Sequence, residues 1–234
     1  MYRGRVKRLL GKFAIVTGGS SGIGAACAEA LSQEGAAVLA CGRRFAPGSL
    51  QVPVLGEVSS AHLDVTDEAA VKRVFDALPQ IDIVVLSAGT GTFGPVVDSS
   101  VAQLRAMLDV HVIGTLTCAR EALRRMQPRK TGHIVVIGSH AAHHAFTDCG
   151  GYTAAKAGQL GLTRVIAAEA RPFDVRVTAV LPGATDTPIW DDRPGFDRSK
   201  MMKPDHIASF VTGIVCHPEV SIEEVTVTPP AGVL

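Results

Sequence analysis

The sequence has little that would commit it to a membrane, a nucleic acid or an oxidising compartment. Aromatic residues make up 5% of the 234-residue chain, and no stretch approaches the ~20 consecutive apolar residues of a membrane span. Lys and Arg (23) nearly cancel Asp and Glu (22) to leave +1. Bulk charge therefore draws the chain toward neither nucleic acid nor anionic lipid. The five cysteines, Cys27, Cys41, Cys118, Cys149 and Cys216, are odd in number, scattered and without C-x-x-C spacing. That argues for reduced thiols in a cytoplasmic protein rather than a disulfide frame or zinc site. Residues 1–10 are basic but lack the long apolar segment of a secretory signal, and are expected to form a solvated leader to the first strand.

What is present is apolar material for one sizeable core: hydrophobic residues are 47% of the chain. No linker, repeat or low-complexity block divides it, so 1–234 reads as a single domain. Short apolar runs of the kind that form buried parallel strands recur: Phe13–Thr17, Ala36–Cys41, a third ending near Asp64, Ile81–Leu86, His133–Gly138, Val175–Leu181 and Glu224–Thr228. Helical stretches are expected between them at 25–31, 68–78, 98–127, 152–171 and 204–216, the second capped by Thr66 or Asp67. Strands alternating with helices predict an α/β fold, a doubly wound parallel sheet of about seven strands with helices on both faces.

Glycine, small polar and charged residues (Gly18, Arg43, Asp64, Ser87, Ser139, Pro182) fall at the carboxyl ends of those strands. In an open α/β sheet that edge is where ligands bind. The turn after the first strand, Gly18-Gly-Ser20-Ser21-Gly22-Ile23-Gly24, opens a helix, so its backbone N–H groups suit a pyrophosphate. Arg43 and Arg44 follow the second strand, where an acidic residue would bind a ribose 2′-hydroxyl. Two guanidiniums there favour a 2′-phosphate, hence NADP(H) over NAD(H), which stays open. Asp64 is placed to meet an adenine edge.

Tyr152 and Lys156 are four apart, one turn of a helix, and so share a face. A phenol titrates near ~10, and a cation beside it is expected to lower that value. The pair would then give and take a proton during carbonyl reduction or alcohol oxidation, with the Ser139 hydroxyl holding the substrate oxygen. His140, His143 and His144 have no carboxylate or cysteine pattern around them and are read as pocket lining or surface, not as a metal site. No Gly-x-Ser-x-Gly elbow surrounds Ser139, which removes a hydrolase reading. Residues 189–203, with Trp190, Pro194 and Gly195, are expected to form a mobile substrate loop.

Taken in order, Thr17-Gly-x-x-x-Gly-x-Gly24, Ser87-Ala88-Gly89, Ser139, Tyr152-x-x-x-Lys156 and Pro182-Gly183-x-x-x-Thr187 resemble the short-chain dehydrogenase/reductase family from about residue 11 onward. The tail after Lys203 is similar to the NADP-dependent 3-hydroxy acid dehydrogenase branch. The resemblance implies a nicotinamide cofactor, a small carbonyl or alcohol substrate, and a homodimer or homotetramer built on the two long helices. It implies Tyr152 as acid/base, Lys156 on the nicotinamide ribose and Ser139 on the substrate oxygen. It extends the cofactor contacts to Val65, Ser87, Ala88, Gly89, Pro182, Gly183, Thr185 and Thr187. Three positions depart from the family pattern where asparagine is usual: His111, in the proton path from Lys156, Ser87 and Thr178. The last two could keep part of a hydrogen-bond network. The substitution at His111 is the main support for the alternative, a nucleotide-sensing protein that has lost its chemistry.

Overall fold

The computed structural model describes residues 7–191, 193 and 195–232. Seven parallel strands form one sheet: β1 (Phe13–Thr17), β2 (Ala37–Gly42), β3 (Val58–His62), β4 (Ile83–Leu86), β5 (Gly132–Ile137), β6 (Val175–Pro182) and β7 (Glu224–Val227). Their order is β3-β2-β1-β4-β5-β6-β7, so the direction of winding reverses between β1 and β4. Six α-helices connect them: α1 (Gly22–Gln33), α2 (Glu68–Asp76), α3 (Val101–Leu108), α4 (Gly114–Met126), α5 (Gly150–Ala170) and α6 (Pro204–Val215).

The strands are apolar on both faces because helices cover both. In β1, Ile15 enters a core with Val71 and Phe75 of α2, Cys118 and Met126 of α4 and Ile166 of α5. Its neighbours Ala14 and Val16 point the other way, among Cys27 and Leu31 of α1 and Ile207 and Val211 of α6. This period-two division is what a central parallel strand requires. Each fully buried side chain of the size of Phe75, Leu31 or Ile207 contributes about 1.5–3 kcal/mol.

Three boundaries differ from the sequence reading. Helix α1 begins at Gly22 rather than residue 25, so two glycines lie inside it. The stretch 98–127 is not one helix. A turn at Val96–Asp98 precedes α3, which starts under a Ser100/Gln103 capping box, and a π-helical turn, Asp109–Ile113, separates α3 from α4. Residues 8 and 9 are not a solvated leader: Leu9 is buried against the α1 side of the core. The Arg8 guanidinium pairs with Glu34 at 3.1 Å. Lys7 and Leu10 are exposed, and residues 1–6 of the expected leader lie outside the described residues. Asp67 caps α2 as expected, accepting from the Ala70 N–H.

Candidate active site

A cavity of about 680 Å³ lies along the carboxyl ends of the strands, across the point where the winding reverses. The glycine turn forms one wall, through Gly18, Ser20, Ser21, Gly22 and Ile23. A β-carbon on Gly18 would sit 2.6 Å from the Ser87 carbonyl oxygen, and one on Gly24 2.3 Å from that of Gly18. Gly24 does not line the cavity. It lies behind it and lets α1 close on the turn. Thr17 Oγ1 accepts the Ser87 and Ala88 N–H groups at 3.2 Å each, tying β1 to the loop after β4. Ser21 is extended and makes no side-chain cap. The first-turn N–H groups of α1 therefore stay open to a ligand anion.

Arg43 and Arg44 line the same cavity, both exposed, with no carboxylate bonded to either among the described residues. Asp64 spends Oδ1 on the Thr66 N–H (3.0 Å) and hydroxyl (2.8 Å), leaving its second oxygen available. Burial pushes its pKa up, but those bonds and the charges of Arg43 and His62 outweigh it and hold the carboxyl below its ordinary value. Val65, Ser87, Ala88 and Gly89 follow along the floor, and Pro182, Gly183, Thr185 and Thr187 close the side beside β6.

Ser139, Tyr152, Lys156 and His111 all face this cavity. Ser139 follows β5 in extended backbone, and its Oγ accepts the Ala141 N–H at 3.1 Å. Tyr152 and Lys156 sit in the first two turns of α5. The Lys156 ammonium donates to the Ile137 carbonyl and to Gln159 Oε1, both at 3.0 Å, and lies 5.8 Å from the centre of the Tyr152 ring. Gln159 is itself buried and donates to Thr115 Oγ1 at 2.9 Å.

The electrostatics differ from the sequence expectation. Burial pushes the Tyr152 phenol up to about 12, and the groups that pull it back are a hydrogen bond to Ser139 and the charge of Arg193, not Lys156. Burial likewise pushes Lys156 down to about 7. Both groups are being driven toward their neutral forms, because both are inside the protein.

His111 occupies the π-helical turn and meets the Tyr152 ring edge-on at 5.7 Å. Its Nε2 lies 2.7 Å from the Thr90 carbonyl oxygen, while Nδ1 is buried without a hydrogen-bond partner. Burial lowers its pKa to about 3, so the ring is neutral at ordinary pH. Thr178 does take part in a hydrogen-bond network, but away from the cavity. It bonds His133 Nε2 (2.9 Å) and the Ile222 carbonyl (2.5 Å) inside the sheet. Thr178 lies four residues before Pro182, about 13 Å back along β6 from the ligand edge.

The three histidines after β5 part company. His140 lines the cavity and stacks on His144, while His143 pairs with Glu224 at 2.5 Å. The loop 189–203 is tied at its base, Thr185 bridging Met202 in parallel, with Arg198 bound to Asp186 and to Asp191 (2.8 Å). Its Pro194 lies outside the described residues. Arg193 and Gln159, and the cavity residue Phe93, were not singled out from the sequence.

The family model described as short chain dehydrogenase matches residues 12–195. The chain belongs to the short chain dehydrogenase family. It is 34% identical over 224 residues to an uncharacterized oxidoreductase of Staphylococcus epidermidis, covering 93% of this chain and 97% of that one. It is 34% identical over 194 residues to the (-)-isopiperitenol/(-)-carveol dehydrogenase, mitochondrial, of Mentha piperita, covering 79% and 73%. Among solved structures it is similar to an alcohol dehydrogenase from the archaeon Thermococcus sibiricus complexed with 5-hydroxy-NADP, with TM-score 0.81, 28% identity and coverage of 92% and 95%. This dehydrogenase is thus an oxidoreductase acting on CH–OH groups with NAD(P) as acceptor.

Proposed function

We propose that this dehydrogenase uses NADP(H) to interconvert a carbonyl and a secondary alcohol, with Tyr152 as the acid/base. The observation that carries the reading is one cavity lined at once by the glycine turn, by Arg43 and Arg44, and by Ser139, Tyr152 and Lys156. The residues fit the cofactor. Gly18 and Gly22 line the cavity without side chains, the start of α1 offers uncommitted N–H groups, and two guanidiniums with no carboxylate bonded to either among the described residues suit a 2′-phosphate. The turn after β2, Arg43 to Ala46, carries no carboxylate to accept from the 2′-hydroxyl of NAD(H).

When bound, the nicotinamide cofactor gives or takes the hydride. In reduction Tyr152, protonated at neutral pH with its pKa near 12, donates its proton to the substrate oxygen. Ser139 donates a hydrogen bond to the same oxygen as negative charge grows there. Lys156, held by Ile137 and Gln159, would hold the nicotinamide ribose and, when charged, favours the phenolate left behind. His111 stands beside Lys156 at the start of the path by which the proton is replaced. A homodimer or homotetramer on α4 and α5 is part of this reading, supported by the exposed Leu116 and Val165 on those helices, as is a cytoplasmic setting, supported by the scattered thiols.

Tyr152→Phe tests the core of it. NADPH binding, followed by cofactor fluorescence, should stay near wild type while turnover of a ketone panel falls on the order of 10³-fold. Retained turnover would refute the assignment.

A further inference from the structure

The chain has eight Phe, two Tyr and one Trp, and Phe93, Phe146, Tyr152, Trp190 and Phe196 all line the one cavity that holds the candidate catalytic groups. They come from separate strand ends. Phe93 follows β4, Phe146 follows β5, and Trp190 and Phe196 follow β6. Phe93 packs on the Tyr152 ring at 5.3 Å, tilted by 52°. The flat guanidinium of Arg193 lies 4.0 Å from the centre of Phe93 and stacks as well on Trp190 and Phe196, at 4.8 and 4.7 Å. It thereby joins the loop after β4 to the loop after β6. Glycine makes room for this wall: a β-carbon on Gly91 would stand 2.7 Å from Phe93 Cζ and 3.0 Å from Ile189 Cδ1. A second ring group belongs to the loop after β5. His140, the residue after Ser139, stacks on His144 at 5.5 Å, and Phe146 packs on the two at 6.2 and 4.9 Å. One ring wall therefore starts at the Tyr152 phenol and the other at the Ser139 turn. Phe93, Phe146 and Trp190 are only half-buried, and apolar surface left wet around a cleft marks a place for a ligand.

Resting on the oxidoreductase reading above, we propose that the substrate is a ketone or secondary alcohol with an aromatic ring on the reacting carbon or one carbon away from it. Both walls begin at the hydroxyls that would hold the substrate oxygen, so the ring sits close to the carbon that bears that oxygen. Neighbouring rings in the walls are tilted by 52 to 58°, within the range of arrangements that aromatic pairs prefer. An aryl ring on the substrate continues that arrangement, meeting faces with its edge and edges with its face. An alkyl chain has no quadrupole to match them and gives up its own rotor freedom to fit. A saturated ring keeps the bulk but loses the edge-to-face attraction.

Trp190 is the chain's single tryptophan and lines the cavity, so its emission reports occupancy without turnover. Full-length protein holding NADPH, which takes no hydride from an alcohol, is titrated with 1-phenylethanol, 1-cyclohexylethanol and 2-octanol, which have equal carbon number. The aryl alcohol should bind about tenfold tighter than either of the others, although 2-octanol is the most apolar of the three. Phe93→Leu and Phe146→Leu keep an apolar side chain without a π face, and each should cut that preference about threefold. Phe146→Tyr should keep it. Absent or equal binding, a preference that the cyclohexyl alcohol shares, or one unchanged in both Leu variants would overturn the proposal. Steady-state reduction of the three matching ketones separates this from the reading it rests on. Aryl-selective quenching with no turnover of any ketone sinks the oxidoreductase assignment and leaves the ring site standing. Turnover of all three ketones with equal KM does the reverse.

Discussion

Burial of Lys156 makes a prediction that can be checked without any substrate. Its ammonium is pushed from an ordinary 10.5 to about 7 in the folded protein. The unfolded chain therefore holds a proton between those values that the folded chain has given up, and folding is favoured as pH rises through that window. The contribution is largest above 10.5 and is lost as pH falls through 7. Each pH unit inside the window is worth about 1.4 kcal/mol. Allowing for partial titration near 7, the gain between about pH 6.5 and about pH 8.5 comes to roughly 2 kcal/mol. For a chain of this length that is roughly 4–8 °C in Tm. Lys156→Met removes the titration. It also strips a donor from Ile137 and Gln159, but that cost does not depend on pH and cancels in the slope. The assay is urea unfolding of both cofactor-free proteins at each pH. The stability difference between wild type and variant should shift by about 2 kcal/mol in favour of wild type at the higher pH. A difference that stays flat would refute the claim that burial controls this lysine.

Gln159→Leu should leave the fold standing but unclamp the ammonium. Turnover should fall about tenfold with its pH profile displaced, against an unchanged profile if Gln159 only packs. Gly24→Ala forces a β-carbon to 2.3 Å from the Gly18 carbonyl. Loss of about 1–3 kcal/mol of stability and of measurable NADPH binding by calorimetry is expected. Arg43→Ala should weaken NADPH on the order of tenfold and NADH hardly at all, and equal losses for both would end the phosphate-clamp argument. His111 and His133 are both buried with pKa values near 3. Stability should be complete above about pH 6.5 and fall below it with a slope approaching two protons, and His133→Asn should remove about half of that slope in acid titrations followed by circular dichroism.

Much of this molecule could be read from the chain because a parallel strand covered on both faces has no polar side to show. Phe13–Thr17 was legible to the residue for that reason. The ligand edge was legible because glycines and polar residues interrupt those runs always at the same end. The π-helical turn was not, since its apolar spacing over Asp109–Ile113 continues that of the helices around it. The start of α1 was missed because glycine disfavours helix locally, and only packing against β1 and β4 overrides it. The phenol's titration was misjudged for a different reason. Tyr-x-x-x-Lys shows that a cation is near, but not that both groups are buried, and burial is the larger effect here. Arg193 could not be found at all, because its surroundings come from Phe93, a hundred residues earlier, and from a loop with no periodicity.

The bridge between Thr185 and Met202 pinches the chain shut before it enters α6. The described residues between Pro188 and Met201 are consequently a loop pinned at its base beside the open sheet, none of them in a strand of that sheet. Substitutions there from Ile189 onward would reshape the substrate end of the cavity while leaving Thr185 and Thr187 on the nucleotide side in place.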